Sequence, residues 1–340
     1  MEASKHKANR WNMLIRFFRF EYLSVAVIFP LMGAATSTKP FDGFRLLGIL
    51  GIAFTFHIYV SILNDIIDLP LDRTNPTRSA YPLVSGKISP AVAWLVVLIM
   101  IPAAAAVIYW QSSSPFAYAA MALALGMMTI YNLWGKRSPF PPAIDIIQGI
   151  GFSSLALVGA ALTGGLTRLS WLVFILGVVW MVLTNLMGGF RDLSSDLAFG
   201  VNTTPIFFGV RPSSDTQVAP RFVNYYAYCL QLLMSIGGLI LIGWNDLHYP
   251  KWLNIGIIFL FVIFSGFALF LLITFFGLMK QNYDKMITIG FRHLGISSGA
   301  LILLLLPALP IWAALGVIFT SLLTYRDYSV GPLLAYWRKQ

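Results

Sequence analysis

Two short aspartate clusters carry the chemistry available to this chain. The first reads Asn64-Asp65-Ile66-Ile67-Asp68-Leu69-Pro70-Leu71-Asp72-Arg73 and the second Arg191-Asp192-Leu193-Ser194-Ser195-Asp196. The 340 residues include only 13 acidic ones, 5 of them in these two stretches, so the clusters are not part of a generally acidic surface. Each closes a long apolar run, and carboxylates at a membrane boundary are costly unless they are paired or bind metal. Asn64, Asp68 and Asp72 lie four apart, as do Asp192 and Asp196, the spacing that puts side chains on one helical face. A Mg²⁺ ion takes oxygen ligands and is usually held by one or two carboxylates plus substrate phosphates. Five carboxylates and a diphosphate of about −3 sum to about −8, and two or three Mg²⁺ ions return about +4 to +6. Arg73, Arg78, Lys136 and Arg191 are the cations that match the remainder. The pattern therefore predicts divalent metal held against a phosphorylated substrate.

The elements that must position these groups are membrane helices. The chain is 58% hydrophobic and only 11% charged, against about 25% charged in soluble domains. Its long continuous apolar runs suit helices rather than the short alternating segments of a β-barrel. We read an all-α polytopic bundle of about nine spans around one cavity, over residues 22–35, 46–63, 91–110, 116–133, 144–162, 169–189, 225–243, 253–278 and 296–321. Pro70 tends to end the second span, leaving Asn64, Asp65 and Asp68 on its last turn and Asp72 just beyond. Of the Lys and Arg residues, 16 fall on the side bearing both clusters and 7 on the other. The positive-inside rule then makes the N-terminus and both clusters cytoplasmic and the C-terminus external. The basic, then apolar, then small-residue beginning resembles a signal peptide but is read as an uncleaved first span. The single cysteine, Cys229, permits no internal disulfide. The net charge of +10 follows mostly from the positive-inside bias and does not imply nucleic acid. No linker divides the chain, and residues 1–340 read as one domain. A long span followed by an acidic cluster recurs after spans two and six, a weak internal echo.

At these residues the chain resembles the UbiA superfamily of intramembrane prenyltransferases. Asn64, Asp68 and Asp72 fit that family's Asn-x-x-x-Asp-x-x-x-Asp motif, and Asp192 and Asp196 fit its Asp-x-x-x-Asp motif. The flanks agree at Pro82-Leu83-Val84-Ser85-Gly86-Lys87-Ile88-Ser89, at Gly200–Gly209, and at Tyr131 with Lys136 and Arg137. The resemblance covers about residues 14–322, leaving tails at 1–13 and 323–340. It implies an isoprenyl diphosphate bound through Mg²⁺ between the two Asp motifs, ionisation to an allylic carbocation, and capture of that cation by an acceptor. Carried over, Asn64, Asp68, Asp72, Asp192 and Asp196 are the Mg²⁺–diphosphate residues, Asp65 is a helper, and Arg73, Arg78 and Lys136 contact the diphosphate. Two departures bear on the substrate. Tyr81 stands where the family often has Arg before Pro-Leu, and Asn185-Leu186-Met187-Gly188-Gly189-Phe190 precedes the second motif.

The expected activity is transfer of a prenyl group to an aromatic or quinone-precursor acceptor at a membrane. The alternative on the same scaffold is a terpene cyclase, in which the substrate's own double bonds capture the cation. A cation-coupled transporter would need ionisable residues at mid-span, and His57 and Asn185 are almost all the chain offers. His57 is expected to pack through a hydrogen bond. Asp145 suits either a helix N-terminus or a substrate role, and Asp284 and His293 read as a solvated loop.

Overall fold

The computed structural model describes the chain except residues 1–12, 21–22, 38, 40, 75–77, 80, 214–215, 244–250, 280–282, 312, 317 and 319–340. Its long helices are α1 (Leu23–Ala35), α2 (Gly43–Ile67), α4 (Pro90–Gln111), α5 (Pro115–Trp134), α6 (Pro141–Thr163), α7 (Arg168–Arg191), α10 (Arg221–Gly243), α11 (Lys251–Leu278) and α12 (Tyr283–Leu305). Short helices α3 (Leu69–Asp72), α8 (Leu193–Ala198) and α9 (Thr204–Phe207) fill the connections. A two-stranded antiparallel hairpin, β1 (Arg211–Ser213) with β2 (Thr216–Val218), and 3₁₀ turns at Gly135–Arg137 and Leu306–Ala308 complete the described elements.

Eight of these helices are long and apolar enough to cross a membrane. The ninth, α1, has 13 residues, about 20 Å of helix, and is the shortest of the expected spans in the structure as in the sequence. The chain is thus an integral, multi-pass membrane bundle. Burial divides its helices into hub and rim. In α6, 72% of the apolar window is buried inside the protein, against 22% in α4 and 28% in α11. The rim helices turn Leu, Ile, Phe and Trp outward, as a lipid-facing surface requires.

The hub is held by close backbone contact. A Cβ at Gly33 of α1 would come within 1.8 Å of the Ala156 carbonyl of α6, and one at Gly159 within 1.9 Å of the Pro30 carbonyl. Small residues let membrane helices approach this closely, so dispersion contacts replace the missing hydrophobic drive. This contact brings Val25 of α1 into the wall of the central cavity.

The last span is shifted from its expected place. The helix begins at Tyr283 instead of 296, and residues 319–321 of the expected span lie outside the described residues. Asp284 and His293 had suggested a loop. In the structure Asp284 is exposed on α12, whereas His293 is fully buried, its Nε2 2.9 Å from Gln231 Oε1 of α10. Ser297 donates to the same oxygen at 2.9 Å. A polar residue satisfied by an adjacent helix does not break a span, and only tertiary packing reveals that partner. His57 meets its expectation and donates from Nε2 to the Phe18 carbonyl at 2.8 Å.

Candidate active site

The two acidic clusters form two elbows built alike. α2 ends at Asp68, which also begins α3, and the Asp72 amide donates to the Asp68 carbonyl at 2.8 Å. α7 ends at Asp192, which begins α8, and the Asp196 amide donates to the Asp192 carbonyl, again at 2.8 Å. Each elbow places an aspartate at a bend and a second one turn later. The bends have different causes. Pro70 enforces the first. The second element ends at Gly200 in the left-handed region (φ +66°), where the Val201 amide returns to the Asp196 carbonyl at 2.8 Å, a closure that glycine adopts without strain.

The elbows face one another across a cavity of about 390 Å³. Its mouth is lined by Asn64, Asp68, Lys136, Arg191, Asp192 and Asp196, and its depth by Val25, Ile144, Trp180, Met181 and Leu294. Lys136 lies in the single 3₁₀ turn after α5 (Gly135–Arg137) and donates from Nζ to Asp68 Oδ2 at 2.6 Å. Asn64 donates to the same oxygen at 3.1 Å and to Asn132 Oδ1 at 3.3 Å. Arg191 forms a two-point ion pair with the adjacent Asp192. Asp196 has no ion pair among the described residues. Burial, reinforced by the neighbouring Asp192 charge, pushes its carboxyl up to about 6.

The remaining expected site residues lie beside this mouth rather than in its wall. Asp65, read as a helper, points instead to Arg19 and pairs with its Nη2 at 2.6 Å; it follows Asn64 on the helix and so faces another way. Asp72 closes the first elbow and Arg73 and Arg78 follow it, but none of the three lines the cavity. Arg78 stacks over the Tyr81 ring at 4.8 Å, with Arg19 over the same ring at 5.8 Å. The tyrosine at the departing position therefore orders two guanidinium groups next to the first elbow.

Sequence reading did not assemble the inner wall. Asp145 is on the second turn of α6 and not at its cap; it is buried, and Thr204 of α9 donates to its Oδ2. Asn185 lies beside the same carboxyl but outside hydrogen-bond geometry. Trp180 Nε1, Asn185 Nδ2 and Thr203 Oγ1 are buried with no hydrogen-bond partner among the described residues, and all three residues line the cavity. The Gly188-Gly189 pair divides its work. A Cβ at Gly189 would strike the Pro205 ring at 2.7 Å, whereas Gly188 has open space in the cavity wall. The sequence signal for this wall was the Thr203-Thr204-Pro205 stretch, which matched the family flank without indicating a partner.

The donor set suits Mg²⁺ of the kind completed by a substrate. Among the described residues no three carboxylates are close enough to make a ready-made cage. Asp68 with Asn64 on one elbow, and Asp192 with Asp196 on the other, each offer the one or two carboxylates that Mg²⁺ takes when phosphate oxygens supply further ligands.

Comparison with known proteins identifies the fold and the family. The family model described as the UbiA prenyltransferase family matches residues 25–285. A 4-hydroxybenzoate octaprenyltransferase of Tolumonas auensis is 27% identical over 164 residues, covering 46% of this chain and 56% of that protein. The chain spans about half the length of several curated relatives it matches. Among solved structures, that reported for digeranylgeranylglyceryl phosphate synthase superposes with a TM-score of 0.66 at 19% identity, covering 88% of this chain and 99% of that one. A UbiA homologue from Archaeoglobus fulgidus bound to GPP and Mg²⁺ gives 0.62 at 16% identity, covering 85% and 99%. These similarities establish the fold, and the match over residues 25–285 shows that the chain belongs to the UbiA prenyltransferase family.

Proposed function

We propose that this chain is a Mg²⁺-dependent intramembrane prenyltransferase. It would ionise an isoprenyl diphosphate and transfer the prenyl group to an aromatic or quinone-precursor acceptor. The observation that carries this reading is the convergence of Asn64, Asp68, Asp192 and Asp196 with Lys136 and Arg191 around the mouth of one cavity whose interior is mostly apolar, with one polar patch at Asp145 and Asn185. The relatives named for 4-hydroxybenzoate and the homologue bound to GPP and Mg²⁺ support it.

Asn64, Asp68, Asp192 and Asp196 would hold the metal, with Asp72 supporting from the first elbow. Bound Mg²⁺ supplies Lewis-acid stabilisation of phosphate oxygens. Lys136 and Arg191 aim positive charge at the leaving diphosphate as its C–O bond breaks, and Arg73 and Arg78 add to the field from the adjoining segment. The apolar walls below exclude water, which would otherwise quench the carbocation. Tyr131 and Trp180, both in the wall, present rings that attract a cation. The buried unpartnered polar atoms favour an acceptor over the cyclase alternative, because a hydrocarbon folding on itself offers nothing to satisfy them. The Lys and Arg distribution supports a cytoplasmic mouth and N-terminus.

The test is incubation of purified protein with Mg²⁺ and isoprenyl diphosphates of graded length, with and without an aromatic acceptor, measuring pyrophosphate and extracted products. Turnover that waits for the acceptor is the expected result. Steady release of pyrophosphate with cyclic hydrocarbons in its absence would overturn the transferase reading in favour of a cyclase.

A further inference from the structure

The inner polar wall has a chemical bias that the diphosphate site does not use. The cations among the described lining residues, Lys136 and Arg191, both stand at the mouth, bonded to Asp68 and Asp192 respectively. Deeper in, the ionisable acid is Asp145. Asn185, beside it, precedes Asp192 by seven residues of α7, about 10 Å along the helix axis. Asp145 therefore sits inward of the phosphate end, where the transferred carbon would meet its acceptor. Thr204 holds one carboxyl oxygen, and the other, Oδ1, has no hydrogen bond among the described residues. Asn185 Nδ2 lies beside this carboxyl, and Trp180 Nε1 and Thr203 Oγ1 belong to the same cavity; none of the three has a hydrogen-bond partner among the described residues. Buried polar atoms are nearly always hydrogen-bonded, so several unsatisfied groups on one cavity wall point to a polar ligand there.

Resting on the prenyltransferase reading, we infer that Asp145 binds the acceptor: its carboxyl takes a hydrogen bond from an acceptor hydroxyl and selects neutral hydroxylated arenes over carboxylated ones. A carboxylate beside Asp145 would place two acids together in a poorly solvated wall, with both cations of the described lining already bonded at the mouth. The neighbouring donors suit the oxygen of the same hydroxyl or a second one. This departs from the relatives named for 4-hydroxybenzoate, an acid, and at 27% identity an acceptor wall can differ while the diphosphate site is kept.

The experiment is equilibrium binding to the full chain in lipid nanodiscs, with Mg²⁺ and a non-ionisable isoprenyl diphosphate analogue present. The paired probes are a neutral 1,4-dihydroxyarene and 4-hydroxybenzoate. The dihydroxyarene should bind at least about tenfold more tightly, the scale of one hydrogen bond to a charged group. Asp145→Asn should shrink that preference by about tenfold while the isoprenyl analogue binds as before. Thr204→Val, which keeps the carboxyl but frees its orientation, should weaken the dihydroxyarene without improving 4-hydroxybenzoate. A purely structural Asp145–Thr204 link predicts no change in preference for Asp145→Asn, and that result would overturn the assignment. So would equal or tighter binding of 4-hydroxybenzoate by the parent chain, or no binding of either arene while the isoprenyl analogue binds. If the parent chain binds no isoprenyl analogue in Mg²⁺, the prenyltransferase reading itself fails.

Discussion

The two acidic elbows share a backbone plan and differ in charge. At the first, Lys136 pairs with Asp68 and Arg19 with Asp65, while Asp72, one turn on and outside the cavity wall, has no ion pair among the described residues. At the second, Arg191 serves Asp192, and Asp196 is left half-buried and without an ion pair among the described residues. Each elbow therefore pairs its bend acid and leaves the acid one turn later without an ion pair, but of those two only Asp196 lines the cavity. Two similar motifs are thus not two equal half-sites. One meets the cavity through an acid already paired with Lys136, and the other adds Asp196, which on the proposed function would take metal.

The largest effect should come from removing either bend acid. Asp68→Ala or Asp192→Ala should cut pyrophosphate release by about 10²-fold or more, the scale of losing a main charge-stabilising group, while the protein still inserts in membranes; near-normal turnover would sink the site. Excess chelator should likewise abolish activity, and Mg²⁺ or Mn²⁺ should restore it; full activity in chelator would refute the metal mechanism.

Lys136→Gln probes the first elbow and should reduce turnover by about 10- to 100-fold, as expected for a hydrogen bond to a charged group. Its signature is loss in both kcat and kcat/KM, since the ammonium is needed most as the diphosphate leaves.

Asp196 gives the second elbow a pH dependence. Its carboxyl is pushed up to about 6, so it is protonated below that pH and must lose a proton to hold metal. Mg²⁺ affinity should therefore fall as pH drops through about 6, by about tenfold per unit, and Asp196→Asn should flatten that slope. A slope unchanged in the variant would assign the titration elsewhere.

The smallest effect on chemistry belongs to Arg19→Ala. It leaves Asp65 buried without its partner, and breaking such a pair costs about 3 kcal/mol or more. The expected outcome is a lower unfolding midpoint in detergent with nearly unchanged Mg²⁺ affinity. Loss of metal binding without loss of stability would return Asp65 to the ligand set.

The mouth of the site was legible because charged residues in a membrane chain are few and their four-residue spacing is local. Asn64, Asp68, Lys136, Asp192 and Asp196 were all named from the sequence and all line the cavity. The inner wall was not legible in the same way. Asp145 and Thr204 are 59 residues apart, and neither stands in a periodic pattern. His293 was misplaced in a loop for the same reason, because the Gln231 that satisfies it lies on another helix.

Composition, hydropathy and helical spacing by themselves determined that this chain is a helical membrane bundle with two acidic elbows, since these properties depend on neighbours within a turn or a span. Tertiary structure alone decided that Asp65 turns to Arg19 while Asp68 meets Lys136, and that Asp145 joins the cavity wall. Those outcomes depend on which helix faces come together, and here glycine-mediated contact between α1 and α6 and the seating of Pro205 on Gly189 set that arrangement.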